Sequence, residues 1–159
     1  CSGRGMADNS RYLMMEYCPR SLSSVIKECR RANRFLNAED FMKWGNGLTS
    51  GMVYLTDFGY FHGDLKPDNL LIDTVNVLKI SDFGISMRYT SLLELEKCSA
   101  YVRGTPRYMA PETHSGKEIT AINDFQTDVW SYGICIWEMI TCKIPFKDVP
   151  DAALALHIG

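Results

Sequence analysis

The chain has 159 residues, of which 46% are hydrophobic, and a formal net charge of −2. That size supports one compact domain with a core of its own. The near-neutral balance, with lysine and arginine scattered along the chain, gives no basis for nucleic-acid or membrane binding. No apolar run reaches the ~18 residues of a membrane span. A signal peptide is also absent, but the chain starts at Cys1 rather than Met, so that silence says little about targeting. Six cysteines (Cys1, Cys18, Cys29, Cys98, Cys135, Cys142) form neither a CxxC pair nor a zinc pattern with histidine. Free thiols in a reducing, cytoplasmic setting are the expectation.

In chain order, residues 1–10 are polar and glycine-rich and are predicted to form a loop. Gly3-Arg4-Gly5 lacks the third glycine and the preceding strand of a phosphate-binding fingerprint. Tyr12 to Tyr17 is a short apolar run predicted to be a buried strand, ended by Cys18-Pro19. Ser21 to Arg34 fits a helix, with Leu22, Val25, Ile26 and Cys29 at helical spacing. Lys27, Arg30, Arg31 and Arg34 are predicted to form its solvated side.

Asn37 is placed to cap a second helix over Ala38 to Asp57, with Asp40 favouring its first turn. Its predicted buried stripe is Phe41, Trp44, Leu48, Met52 and Leu55. Gly45, Gly47 and Gly51 each weaken the helix by roughly 1 kcal/mol relative to alanine, so packing must hold it.

Next comes His62-Gly63-Asp64-Leu65-Lys66-Pro67-Asp68-Asn69, then Leu70-Leu71-Ile72 and Val77 to Ile80 around Asp73-Thr74-Val75-Asn76, then Ser81-Asp82-Phe83-Gly84. The two apolar runs read as a hairpin, and Asn69 and Asp82 flank it, so both reach its open end. A carboxylate, a lysine, an amide and a second carboxylate at these offsets suit a magnesium–polyphosphate held against a hydroxyl. Asp64 can orient the hydroxyl and take its proton, Lys66 can neutralise the moving phosphoryl group, and Asn69 and Asp82 are oxygen ligands for Mg2+. Ile85 to Met109 is mostly polar and without period. Asp124 to Met139 is predicted to be a largely buried helix with Val129, Trp130, Gly133, Trp137 and Ile140 on its apolar face, and Asp151 to Ile158 a further short helix.

These residues, with Gly104-Thr105-Pro106-Arg107-Tyr108-Met109-Ala110-Pro111-Glu112 and Asp128-Val129-Trp130-Ser131-Tyr132-Gly133, resemble the eukaryotic protein kinases. The resemblance covers nearly the whole chain. It implies an α+β protein-kinase-like fold: a mainly helical large lobe with a small β-hairpin, and a small N-terminal lobe mostly absent. Residues 1–17 would be the end of the small lobe and the hinge entry, and 18–159 the large lobe, truncated before its last helices. ATP and Mg2+ would be the cofactors, and the partner a protein substrate. By the same resemblance Met15 lies behind the adenine pocket, Glu16 and Cys18 offer main-chain groups to adenine, and Leu71 lies under it while Leu70 and Ile72 pack into the lobe. Lys66-Pro67 and Thr105 resemble the serine/threonine class, in which the threonine hydrogen-bonds the catalytic aspartate and lysine. Asp128 resembles the aspartate that receives main-chain N–H groups of the catalytic loop, its alternative being a simple N-terminal helix carboxylate.

Two departures from the family pattern stand out. Gly63 replaces the arginine that usually grips a phosphate on the activation segment, so activity is expected to depend little on phosphorylation at Thr90, Ser91, Ser99 or Tyr101, even with Arg88 and Arg103 nearby. No glycine-rich loop, strand lysine or helix glutamate precedes His62, where the only lysines are Lys27 and Lys43. Glu112 resembles the glutamate that pairs with a late arginine, and no arginine follows Arg107. Both losses fit an internal fragment of a longer kinase, inactive alone. The resemblance leaves open a MAP kinase kinase-like or a tyrosine-kinase-like subgroup, and a pseudokinase or scaffolding module in place of an enzyme.

Overall fold

The computed structural model describes residues 3–7, 10–88, 104–114 and 121–158. The chain begins with an antiparallel ribbon of β1 (Gly3–Ala7) and β2 (Ser10–Met14), in register from Gly3 opposite Met14 to Ala7 opposite Ser10. Two expectations change here. Part of the expected N-terminal loop is a strand, and the expected buried strand is exposed: Leu13, Met14, Met15 and Tyr17 are all more than half accessible. Among the described residues β1 and β2 form a sheet of two strands only, and a lone ribbon cannot bury its own faces.

The chain then enters β3 (Arg20–Ser21) and α1 (Leu22–Arg31). Ser21 is the N-cap, its Oγ accepting from the Ser24 N–H at 3.2 Å. The helix stops three residues earlier than its periodicity suggests, because the chain turns through Asn33 at φ +47, a left-handed conformation that asparagine tolerates. Leu22, Val25, Ile26 and Cys29 are buried as spaced. Arg30 is not on a solvated side. Its Nε donates to the Cys142 carbonyl at 2.7 Å, and Nη2 lies 3.1 Å from Glu138.

Helix α2 (Ala38–Asp57) has the expected cap, with Asn37 Oδ1 accepting from the Asp40 N–H at 2.7 Å. Trp44, Leu48 and Leu55 are buried, and Phe41 and Met52 pack against the same cluster. Gly51 has a packing reason: a Cβ there would lie 2.7 Å from Cδ1 of Ile80.

After β4 (Tyr60–Phe61), the hairpin forms from β5 (Leu70–Ile72) and β6 (Leu78–Ile80), with Leu70 opposite Ile80. Asp73 closes the turn, its Oδ1 accepting from the N–H groups of Val75 and Val77 at 3.0 and 2.8 Å. Those hydrogen bonds, the Val77 one first, hold its carboxyl below the ordinary range. β3 adds a third strand beside β5, and β4 pairs with β7 (Met87–Arg88). Leu70 and Ile72 are buried while Leu71 is half-buried on the opposite side, as alternation requires.

The chain continues through a 3-10 turn at Pro106–Tyr108 into α3 (Pro111–His114), α4 (Ala121–Thr141) and, after a second 3-10 turn at Asp151–Ala153, α5 (Leu154–Ile158). Helix α4 is longer than expected at both ends, and its buried face is a different one. Thr127, Asp128, Ser131, Cys135, Glu138 and Met139 face inward, whereas Val129, Trp137 and Ile140 are 65%, 41% and 54% exposed. The inward polar groups are satisfied by specific partners, which a count of apolar positions does not register.

Candidate active site

The loop from His62 to Asn69 hangs between β4 and β5 and is held from below by Asp128. Its carboxylate accepts the His62 N–H at 2.7 Å and the Gly63 N–H at 3.0 Å. Burial pushes its carboxyl up, against the opposing pull of those two N–H groups. His62 is wholly buried and fixes the other side. Its Nε2 lies 2.9 Å from the Ser81 carbonyl and its Nδ1 accepts the Asp64 N–H at 3.2 Å. Only the tautomer protonated at Nε2 satisfies both contacts. His62 therefore ties the loop to the strand exit that carries Asp82, a role the sequence reading had not given it.

Above this support Asp64, Lys66 and Thr105 close a triangle. Lys66 Nζ donates to Asp64 Oδ2 and to Thr105 Oγ1, each at 2.7 Å, and the Thr105 hydroxyl donates to Asp64 Oδ1 at 2.7 Å. Asn69 Nδ2 donates to the Asp64 carbonyl at 2.8 Å and to Oδ2 at 3.3 Å. Burial raises the affinity of Asp64 for a proton. The hydrogen bonds from Lys66 and Thr105, the Lys66 charge and the Asn69 bond more than offset it, holding the carboxyl below its ordinary value. The stability this cluster contributes is thus present above the ordinary aspartate pKa and lost as pH falls through the lowered one.

Both Asn69 contacts run through Nδ2, which leaves Oδ1 to serve as a metal ligand. The Ser81 N–H and Oγ each donate to the Asn69 carbonyl at 2.9 Å, so Asp82 follows directly beside Asn69 and is exposed. Asp82 sits at φ +64, a conformation uncommon for a residue other than glycine. An amide oxygen and one carboxylate fit a Mg2+ that keeps water and phosphate oxygens in its shell. No cluster of three or more His, Cys, Asp or Glu suited to a metal occurs among the described residues.

Of the other expected site residues, Leu71 lies in β5, opposite Lys79 on β6 and Ser21 on β3. Glu16 and Cys18 lie on the segment leading into β3. The Glu16 carboxylate receives Lys79 Nζ at 3.0 Å, and Lys79 also reaches Asp73 at 3.4 Å. Hydrogen bonding to Glu16 and Asp73 raises the Lys79 pKa despite opposing desolvation. Thr90, Ser91, Ser99, Tyr101 and Arg103 lie outside the described residues.

The two glycines of the site have conformational reasons. Gly63 has φ +82 and a Cβ would meet the Phe61 ring at 3.0 Å; Gly104 has φ +107 and a Cβ would lie 2.7 Å from the Gly63 carbonyl. Gly104 thus lets the chain bring Thr105 down onto Asp64. Gly104→Ala is expected to cost about 1–3 kcal/mol of stability. Gly133→Ala, in α4 with nothing within 4 Å, is expected to be neutral or stabilising by up to about 1 kcal/mol. Chemical denaturation of the two variants checks both; equal effects would contradict the close approach.

The fold and this site define a protein kinase. The family model described as protein kinase domain matches residues 4–158, and the chain belongs to that family. It is 34% identical over 147 residues to mitogen-activated protein kinase kinase kinase 13-A of Xenopus laevis, covering 92% of this chain and 14% of that protein. The Homo sapiens mitogen-activated protein kinase kinase kinase 13 is 33% identical over the same length. The striated muscle preferentially expressed protein kinase of Danio rerio is 35% identical over 141 residues, 87% of this chain and 4% of that protein.

Proposed function

We propose that this chain carries the catalytic loop and metal loop of a serine/threonine protein kinase that moves the γ-phosphoryl group of Mg-ATP to a protein hydroxyl. The observation that carries the reading is the closed triangle of Asp64, Lys66 and Thr105, with Asn69 bonded to the same carboxylate. Phosphoryl transfer asks a protein for positioning and charge more than for covalent help. Asp64 orients the acceptor hydroxyl and takes its proton as the bond forms; its low pKa suits orientation and late proton acceptance. Lys66, already bonded to Asp64, contacts the moving phosphoryl group. Asn69 and Asp82 would hold Mg2+, which would neutralise phosphate charge. Leu71 would form the floor of the adenine site, and the main chain of Glu16 and Cys18 its edge. On this reading residues 1–17 end the small lobe and 18–159 belong to the large one. The names of the relatives favour a MAP kinase kinase kinase-type role, as part of a phosphorylation cascade. A module that only binds or scaffolds would have no use for all four polar groups converging on one point.

No glycine-rich loop or strand lysine precedes His62, and the transfer proposed is that of the complete gene product. The test is incubation of that product with labelled ATP and peptides bearing serine, threonine or tyrosine acceptors. Phosphoserine and phosphothreonine are expected; phosphotyrosine alone would overturn the class, and all three would favour dual specificity. Gly63 adds a second expectation. Phosphatase treatment, or alanine at Thr90, Ser91, Ser99 and Tyr101, should change activity less than a hundredfold, about 2.7 kcal/mol. A larger loss would make the segment a phosphorylation switch despite the glycine.

A further inference from the structure

Thr105 reaches Asp64 from a 3-10 turn, and the two residues after Pro106 fasten that turn on different sides. Tyr108 donates its hydroxyl to Glu138 at 2.6 Å, and Glu138 is held in turn by Arg30. Arg107 turns the other way. Its Nη1 donates to the carbonyls of Pro145 and Phe146 at 3.0 and 2.7 Å, its Nη2 to the carbonyl of Val149 at 3.2 Å, and Nη2 lies 2.6 Å from Asp151.

The segment Arg107 grips is strained. Cys142 and Phe146 have φ +53 and +50, a region that bulky side chains occupy only where their surroundings over-determine it, at about 1–3 kcal/mol each. Each of these two residues offers its carbonyl to an arginine, Cys142 to Arg30 and Phe146 to Arg107. The loop between α4 and α5 is therefore pinned at both strained points, and one of the pins begins two residues from Thr105. A planar guanidinium can meet three carbonyls and a carboxylate at once, which a lysine ammonium on a flexible stem cannot reproduce.

We propose that Arg107 is a positioning residue for phosphoryl transfer: by anchoring the 106–108 turn to the strained 142–150 loop it holds the Thr105 hydroxyl between Asp64 and Lys66. The inference rests on the kinase reading of that triangle. The contacts of Arg107 run to Pro145, Phe146, Val149 and Asp151 and not to Asp64 or Lys66, so its loss is expected to act on the geometry of the reacting groups and not on substrate affinity.

The test uses the complete gene product with Arg107→Ala, Arg107→Lys and, as a control on the reading beneath it, Asp64→Asn. Arg107→Ala is expected to lower kcat tenfold or more while KM for ATP stays near the parent's and the thermal midpoint falls only modestly, as the loss of one loop anchor requires, and Arg107→Lys to recover part of the loss in kcat. Hydrogen exchange at the amides of Tyr108 and Met109, which bond back to Thr105 and Pro106, should speed at least tenfold in Arg107→Ala, with the Cys135 amide of α4 unchanged. Parent-like kcat, or unchanged exchange at both amides, would overturn the inference. So would a fall in kcat matched by equal destabilisation and faster exchange throughout α4. Full activity of Asp64→Asn would overturn the kinase reading itself, whatever Arg107 does.

Discussion

Replacing Asp82 by alanine in the complete gene product is expected to lower kcat by about a thousandfold or more, roughly 4 kcal/mol of transition-state stabilisation. Asp82 is the exposed carboxylate beside Asn69, and on the proposed reading it would supply the one full negative charge that binds Mg2+. Removing it leaves an amide oxygen, too little to hold a hard dication against phosphate repulsion. Lys66→Ala is expected to do less, about tenfold to a hundredfold, the worth of a charge-assisted hydrogen bond. It will not be negligible, because Lys66 also braces Asp64 and Thr105 at 2.7 Å each. Steady-state kinetics at saturating ATP read both, and activity of Asp82→Ala equal to the parent's would show that the metal loop is misassigned.

Asp128→Ala should act on the fold before it acts on rate. The His62 and Gly63 N–H groups, both directed at that carboxylate, would lose their acceptor in a site closed to water. An unsatisfied buried N–H costs roughly 1–3 kcal/mol, so the pair makes this a loss of about 2–6 kcal/mol. Asp128→Asn is the sharper variant: its single oxygen can serve one N–H while its amide meets the other donor to donor, and about half the loss is expected. Denaturant titration with a fluorescence readout measures it, Trp130 being the residue two positions on. A change below about 0.5 kcal/mol in both variants would return Asp128 to the status of a helix-terminal carboxylate.

The hairpin, the Asn37 cap and the buried stripe of α2 were legible because each depends on residues close in sequence with one dominant local preference. The meeting of Asp64, Lys66 and Asn69 was legible by spacing, since the three lie within six residues and bond to one another. The inward face of α4 was not. Its buried positions include Asp128, Ser131 and Glu138, which hold the loop and the 106–108 turn, so apolar periodicity pointed to Val129, Trp137 and Ile140 on the far side. Arg107 gave no signal either, because four of its contacts are to atoms that any residue or a distant aspartate can offer. β1 was missed because its pairing partner, not its own glycine-rich composition, makes it a strand. Gly63 was read as a missing arginine; φ +82 adds that the backbone there favours a residue without a Cβ.

The most direct test of the assignment is transfer of labelled γ-phosphate to a serine- or threonine-bearing peptide by the complete gene product and by its Asp64→Asn form. Asparagine keeps the shape and an oxygen for the Thr105 hydroxyl but loses the charge that, on the proposed reading, would orient and deprotonate the acceptor. Folding monitored by circular dichroism should remain native, nucleotide binding should persist, and kcat should fall about a thousandfold or more. Steady transfer by Asp64→Asn at the parental rate would contradict the role given to the residue at the centre of this site.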